Sequence, residues 1–133
     1  MVNKSKKILS EISEGELLDK ISILEIKLEK IQDKESQEEI NKEYKILKEA
    51  QNLNIKITEN VKYLLNELKK INQNLWDIED KLRICEKNKD FGKDFIELAR
   101  GVYLNNDKRA KIKSEINKKL GSNIKEIKQY VSY

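Results

Sequence analysis

The chain has no histidine and only one cysteine among its 133 residues. Histidine titrates near neutral pH and is the commonest metal ligand, so its absence removes the usual general base and leaves only carboxylates for a metal site. A single cysteine, Cys85, excludes a disulfide within one chain, which fits a reducing cytoplasm, where we expect the protein to reside. We therefore predict no metal site and no cofactor.

Proline is also absent, and glycine occurs only four times. With 39% charged and 38% hydrophobic residues, this composition is typical of long amphipathic helices rather than of a compact β fold. The apolar residues recur with a regular period, which disordered segments have no reason to show. No apolar run approaches the roughly 20 residues that a membrane-spanning helix needs, so we expect no membrane insertion.

The strongest periodic pattern lies between residues 61 and 85, where apolar residues recur at alternating steps of three and four. This seam consists of Val61, Leu64, Leu68, Ile71, Leu75, Ile78, Leu82 and Cys85. A polar stripe with the same spacing lies beside the seam and consists of Asn72, Trp76, Glu79, Arg83 and Glu86. We predict one long helix over about 58–88, whose seam the rest of the chain has to cover.

Two capping patterns predict the earlier helices. Ser13 and Glu16 form a capping box, in which the hydroxyl accepts from the Glu16 N–H and the carboxylate reaches back, so a first helix is predicted at about 14–33. Ser36 and Glu39 repeat the pattern and predict the start of a second helix.

The second helix either runs straight into the third or breaks between Asn52 and Thr58. We favour a break, because Thr58 is a suitable N-cap. A continuous helix over 36–88 would be about 80 Å long, which is awkward for so small a domain unless it dimerises.

A fourth seam begins at Phe91 and contains Gly101, which we explain by the close approach of a neighbouring backbone. The segment 105–107 (Asn-Asn-Asp) predicts a break or a kink, because these side chains compete for backbone hydrogen bonds. Gly121 is predicted to cap the end of the helix, and Ser122 to start one more short helix with apolar residues facing inward.

These patterns together predict an all-α antiparallel bundle of four to five helices, partly coiled-coil-like. Residues 1–12 should form a flexible lead-in that Ile8, Leu9 and Ile12 could dock on the bundle, and residues 13–133 a single domain. Since the seams are long and narrow and aromatics make up only 6% of the chain, we expect a second copy to cover them in a homodimer.

The chain has three arginines against 25 lysines, and all three fall within residues 83–109. Only a guanidinium makes planar, bidentate contacts with carboxylates and phosphates. In one interpretation the arginines are structural: Glu79 and Arg83 pair along one helix, and Arg100 and Arg109 tie the last helices to the third.

The other interpretation is a pocket for a phosphate or a carboxylate between the third and fourth helices. Arg83 and Arg100 would bind the charge, Glu79 would act as an acid or base, and Trp76 and Tyr103 would form walls. It requires at least two guanidiniums to reach one cavity without each being paired with a carboxylate. The candidate ligand-binding residues are Trp76, Glu79, Arg83, Arg100, Tyr103 and Arg109.

The positive charge is concentrated at the C-terminal end. Residues 105–133 carry eight basic and three acidic residues, whereas the rest of the chain has a net charge of −1. Nucleic acid is the partner class that such an excess suggests, but the lysines spread around the helix, and neither a recognition helix nor an aromatic stacking surface is evident. We therefore expect a solvated basic surface rather than nucleic-acid binding.

Several short motifs occur together in the chain: Gly15–Ile21, Leu24–Lys27, Asn72, Leu75–Asp80, Arg83, Glu86, Phe95–Ile96, Leu98–Arg100, Val102–Tyr103, Asn106–Asp107, Arg109–Ala110, Ile112–Lys113, Ile116–Asn117, Gly121–Ser122, Lys128, Tyr130 and Tyr133. Their combination resembles an uncharacterised family of short bacterial proteins, a domain of unknown function. The chain departs from the pattern at Gly92, where Asp is expected after Phe91.

The resemblance supplies no activity and no catalytic residue, but it implies a link with cell-surface polysaccharide assembly. We therefore expect a non-catalytic cytoplasmic interaction or scaffold module that forms a homodimer. A small-anion pocket and nucleic-acid binding are the alternatives.

Overall fold

The computed structural model describes residues 6–133, which form four α-helices and no strand. The helices are α1 (Glu14–Lys30), α2 (Lys34–Asn54), α3 (Glu59–Asn88) and α4 (Lys93–Leu120). Short connections make α1–α2 and α3–α4 two antiparallel hairpins. The backbone of α1 lies close to each of the other three helices, and α3 and α4 pack along each other. The predicted all-α bundle is confirmed.

The start of the described chain is not docked on the bundle. Ile8 and Leu9 are exposed, and Ile12 is only partly covered, so the predicted docking of the lead-in is wrong. The first part of that lead-in, residues 1–5, lies outside the described residues.

The first predicted cap is confirmed, and the second lies one turn earlier than expected. The Ser13 hydroxyl accepts from the Glu16 N–H at 3.2 Å, which is the first half of the predicted capping box. The second half does not form, because the Glu16 carboxylate accepts from Lys113 instead. At α2 the N-cap is Asp33 instead of Ser36. The Asp33 carboxylate accepts from both the N–H of Ser36, at 2.9 Å, and its hydroxyl, at 2.7 Å, and thereby starts the helix earlier.

The predicted break between the second and third helices is confirmed. The α2 helix ends at Asn54, and the Thr58 hydroxyl caps α3 by accepting from the Val61 N–H at 3.3 Å. Between them Ile55 is buried in the core, whereas Ile57 is partly exposed. The short connection between α2 and α3 is therefore anchored in the core by the Ile55 side chain.

Two expectations about the C-terminal third are wrong. Residues 105–107 do not interrupt α4, because the Asn105 amide donates to the Gly101 carbonyl at 2.8 Å and the Asn106 side chain accepts from Arg109. These polar side chains find partners one turn away without disturbing the helix. Gly121 does cap α4 in the left-handed conformation, but no helix follows Ser122 within the described chain.

The neighbour that Gly101 accommodates is a side chain rather than a backbone. A Cβ atom at Gly101 would lie 3.0 Å from the Cδ1 atom of Ile78 on α3. The close approach is therefore real, but the atom that approaches is the flexible end of an isoleucine.

The hydrophobic core lies where α1 meets the beginning of α3 and the end of α4. It consists of Leu17, Leu18, Ile21, Ile55, Val61, Leu64, Leu68 and Ile116. Tyr44, Leu47 and Ala50 of α2 pack against it. In this half of the molecule the predicted seam is inward-facing and covered.

The other half of the α3–α4 hairpin has no such cover. With 1.5 Å per residue, the 30 residues of α3 span about 45 Å and the 17 residues of α1 only about 26 Å. We call residues 77–102 the outer arm. Of its apolar side chains Cys85 alone is buried; others, such as Leu82 and Leu98, are half-buried, and Ile84 and Ile96 are exposed.

Candidate functional site

A buried carboxylate joins α1 to α3 and α4. Asp19 is 1% exposed, and Arg109 donates to it twice, from Nε to Oδ1 at 3.0 Å and from Nη2 to Oδ2 at 2.5 Å. The Asn72 amide donates to Oδ1 of Asp19 at 3.0 Å and to the Ser22 hydroxyl at 2.7 Å. We call Asp19, Ser22, Asn72, Arg109 and Lys113 the Asp19 network.

Lys113 adds a second cation to this network. Its Nζ atom lies 2.7 Å from Oε2 of Glu16 and 3.7 Å from Oδ2 of Asp19. Burial alone would raise the pKa of Asp19, but hydrogen bonds from Arg109 and Asn72 and the charges of Arg109 and Lys113 outweigh it, so its pKa lies below the ordinary value. The carboxylate is therefore held in its ionised form.

The first turn of α1 lies directly against α4. The Gly15 N–H donates to Oδ1 of Asn117 at 2.7 Å, and the Ser122 hydroxyl donates to the same oxygen at 3.0 Å. A Cβ atom at Gly15 would lie 2.6 Å from the Lys113 carbonyl oxygen. Only glycine permits this approach. Ser122, whose hydroxyl bonds to Asn117, lies against the bundle instead of starting a helix.

The Asp19 network has the character of a structural site. Within residues 6–133 no buried side-chain nitrogen or oxygen lacks a hydrogen-bond partner, and no group of three or more acidic or cysteine side chains could hold a metal ion. A catalytic carboxylate has to be free to exchange a proton or to reach a substrate, whereas Asp19 is enclosed and paired on both oxygens. Its chemistry holds three helices together.

Two of the predicted ligand-binding arginines, Arg83 and Arg100, lie in two separate ion pairs. Arg83 pairs with Glu79 one turn earlier on α3, and both are solvent-exposed. Arg100 pairs with Glu97 at 3.2 Å, and the Tyr103 hydroxyl and the Glu97 carboxylate, both close to the guanidinium, raise the pKa of Arg100. Each of these arginines thus has a carboxylate partner on its own helix.

The other two predicted residues lie elsewhere. Trp76 is half-buried on α3, and Arg109 points into the Asp19 network. Arg109 therefore ties α4 to α1, not to α3 as expected, and Arg100 makes its ion pair within α4. An anion pocket at Arg83 and Arg100 stays a prediction, but an anion would have to displace both carboxylates, so the geometry favours the structural interpretation.

The chain after α4 forms an aromatic surface that sequence reasoning missed. Residues 122–133, the C-terminal tail, fold back along α4, where Tyr133 meets Tyr103 edge to face with ring centres 5.9 Å apart. The Tyr133 hydroxyl donates to the Asp107 carboxylate. The sequence does not predict this contact, because the two rings lie 30 residues apart and only the reversal at Gly121 brings them together.

A cavity of about 720 Å³ lies between the tail and α4. Its walls include Tyr103, Tyr130 and Tyr133 together with Lys111 and Lys128.

The outer arm carries one groove on each side, and the two differ in charge. The groove of about 470 Å³ that we call the Leu82 groove is lined by Leu82, Arg83, Glu86, Phe95, Ala99 and Val102. The other, of about 500 Å³, contains Ile84 and is called the Ile84 groove. Its charged lining consists of Lys81, Asp90, Asp94 and Glu97, so it is acidic, whereas the Leu82 groove is neutral.

Across residues 6–133 no helix combines the length and the apolar character of a membrane span.

Comparison with curated proteins and with solved structures finds no match to the chain. Residues 8–133 match the family described as "Family of unknown function (DUF6165)". This match covers nearly the whole chain and confirms the resemblance noted in the sequence. The chain belongs to DUF6165, a family of unknown function.

Proposed function

We propose that the protein is a non-catalytic helical interaction module that pairs with a second copy of itself through the outer arm. The observation that carries the proposal is the incomplete burial of the arm: its seam continues the pattern of the core, yet Leu82, Phe95, Leu98 and Val102 are only half-buried. A seam of this regularity is typical of a helix that is covered along its full length.

Two antiparallel helices alone cannot cover their own seam, because each helix has only one neighbour. Two such hairpins that pack face to face form a four-helix bundle, in which each helix has two neighbours and the apolar positions turn inward. A second copy supplies the missing hairpin with a two-fold axis, the commonest symmetry of protein oligomers.

The charge of the arm also favours a second copy as its partner. Residues 77–102 carry six basic and seven acidic residues, a net charge of −1, whereas residues 105–133 have a net charge of +5. Two arms therefore meet with little net repulsion, while two basic ends would repel each other.

The Leu82 groove is the better of the two contact surfaces. A two-fold contact brings each groove against its own copy, so the acidic Ile84 groove would place like charges opposite each other. The Leu82 groove offers four apolar residues flanked by Arg83 and Glu86, and across a two-fold axis these opposite charges can pair between copies.

The oligomeric state of matched charge variants tests this assignment. We expect light scattering of the wild-type chain to give about twice the monomer mass of 15.7 kDa. Arg83→Glu makes the Leu82 groove acidic and should weaken association at least tenfold with an unchanged circular dichroism spectrum, because Arg83 is exposed on the monomer. Lys81→Glu, the same charge change in the Ile84 groove, should remain dimeric.

A wild-type chain that stays monomeric at high concentration would overturn the proposal. Equal loss of association in Arg83→Glu and Lys81→Glu would also overturn the assignment to the Leu82 groove, because it would reduce the effect to net charge alone.

A further inference from the structure

We propose that the cavity between α4 and the C-terminal tail binds a nucleotide unit, with a base stacked on its tyrosines and a phosphate on its lysines. This cavity is not the self-association surface, and nucleotide binding there does not require the dimer. Its ligand is a planar ring joined to a phosphate, which either a free mononucleotide or a single-stranded nucleic acid supplies.

The walls of the cavity present uncovered aromatic faces. The rings of Tyr103 and Tyr133 stand at 81° to each other, so each ring keeps a face that the other does not cover. Tyr130 on the same cavity is 73% exposed. Every nucleic-acid base has a π face, and a base stacked on an aromatic side chain is the recurring way in which proteins hold unpaired bases.

The cavity also carries positive charge for a phosphate. Lys111 and Lys128 line it, and within the described chain no carboxylate lies within ion-pairing distance of the Lys111 amine. The Nζ atom of Lys128 also pairs with Oε1 of Glu126, at 3.5 Å. The surrounding lysines of the basic end add a positive field that raises the local concentration of phosphate groups.

Polar side chains complete the lining. Asn106 accepts from Arg109 with its oxygen and carries two N–H donors, and Asp107 accepts from the Tyr133 hydroxyl. Amide donors and carboxylate acceptors are the groups that bind the edges of bases and the hydroxyls of ribose. A purely apolar ligand would leave the lysines unused, and a simple anion would leave the tyrosine faces unused.

The aliphatic residues of the tail are not buried against α4. Ile127, which precedes the lining residues of the tail, is 85% exposed, and Val131, which belongs to the lining, is 90% exposed. The tail is therefore not drawn onto α4 by its aliphatic residues, and the tyrosines are not needed to fill a core. Their arrangement around an open space of this size favours a role in binding.

A titration followed by NMR of the uniformly labelled full-length chain tests the proposal. The probes are adenosine monophosphate, adenosine, inorganic phosphate and a single-stranded oligodeoxyadenylate, all at one low salt concentration. We expect the monophosphate to shift the signals of residues 102–111 and 128–133, and to bind several-fold more tightly than adenosine or phosphate alone.

Two exposed tyrosines provide a matched pair of variants. Tyr130→Ala should weaken binding of the monophosphate about tenfold, because stacking contributes about 1–3 kcal/mol per base. Tyr63→Ala removes a similarly exposed ring from α3 and should leave binding unchanged. Arg83→Glu should also bind like wild type, so a failed dimer and a failed nucleotide site give different results.

The remaining outcomes decide the source of the ligand or reject the site. Oligonucleotide binding at least tenfold tighter than that of the monophosphate would identify a nucleic-acid strand, and comparable binding a free nucleotide. The proposal would be overturned if neither the monophosphate nor the oligonucleotide shifted any signal, if adenosine bound as tightly as its monophosphate, or if Tyr130→Ala bound the monophosphate like wild type.

Discussion

Asp19 contacts both α3 and α4, whereas Arg83 and Arg100, which the sequence pattern points to, each pair within their own helix. It lies between Leu18 and Ile21 in the first seam, where an acidic residue is costly unless it is paired. The fold supplies a bidentate arginine from α4 and an amide from α3. One buried charge thus joins α1 to both helices of the α3–α4 hairpin.

Asp19→Asn should lower the free energy of unfolding by about 3 kcal/mol, because it leaves Arg109 and Lys113 without their buried partner charge. Urea unfolding of both chains measures the difference. Glu79→Gln breaks the exposed pair with Arg83 and is the control, with an expected change of at most about 0.5 kcal/mol. Equal losses in the two variants would mean that the Asp19 network is not a structural element.

The difference between wild type and Asp19→Asn should depend on pH. The pKa of Asp19 is lower in the folded chain than its ordinary value of 3.8, so its stabilisation is fully present above that value. It is lost as the pH falls through the folded pKa, where the carboxylate takes up a proton. We therefore expect the gap between the two chains to be constant from pH 7 to about pH 5 and to narrow below about pH 4. A gap that widens on acidification would contradict this.

Gly15→Ala should destabilise the fold although alanine is the better helix former. The added Cβ would lie 2.6 Å from the Lys113 carbonyl, a backbone atom that cannot move without shifting α4. We expect a loss of about 2 kcal/mol in urea unfolding, as for overpacked sites. Gly101→Ala is the matched control: its Cβ would meet only the end of the Ile78 side chain, so the loss should be smaller or absent.

At the residue scale the sequence predicts local contacts well and distant ones poorly. The Ser13 cap follows from residues three positions apart, and the structure confirms it, although the Glu16 carboxylate binds Lys113 instead of reaching back to Ser13. The partner of Asp19 lies 90 residues away, and no spacing rule connects the two. The motif around Gly15 and Asp19 is part of the family resemblance, but its physical role depends on where α1 crosses α4.

Among the elements, the connection between α2 and α3 decides the shape of the molecule. The pattern of residues 51–58 alone permits one long helix, and the break rests on a cap at Thr58 and on burial of Ile55. Of the apolar residues Leu53, Ile55 and Ile57 only Ile55 is buried, and the position of the core that it joins could not be predicted from the sequence.

Thr58→Ala should lower the free energy of unfolding by about 1 kcal/mol, since it removes the oxygen that accepts from the Val61 N–H. Thr58→Ser keeps that oxygen and should restore most of the loss. Urea unfolding compares the three chains. An alanine variant as stable as wild type would show that the break depends on Ile55 alone.

The tail shows where element prediction fails. Its apolar residues fit a helical stripe, and a helix after Ser122 was a reasonable expectation. The structure uses Ser122 to bind Asn117 and the first turn of α1, so the segment leaves α4 in an extended course. Tertiary contacts of one side chain outweigh the periodicity of a twelve-residue segment, which is marginal as an isolated helix.

For the whole molecule, the division into a covered half and an outer arm follows from helix lengths. The long third helix was predicted from its seam, and so was the need for a partner along part of it. Which part stays uncovered could not be predicted, because that depends on the reach of α1. The seam residues from Val61 to Ile71 are buried, and those from Leu75 to Leu82 are half-buried.

The central claim is that the outer arm is completed by a second copy of the chain. Amide hydrogen exchange measured over roughly a hundredfold range of protein concentration tests it most directly, because only contacts between copies respond to concentration. We predict that protection of residues 77–102 rises with concentration while that of α1 stays constant. Protection of the arm that does not change with concentration, or a change confined to α1, would contradict the claim.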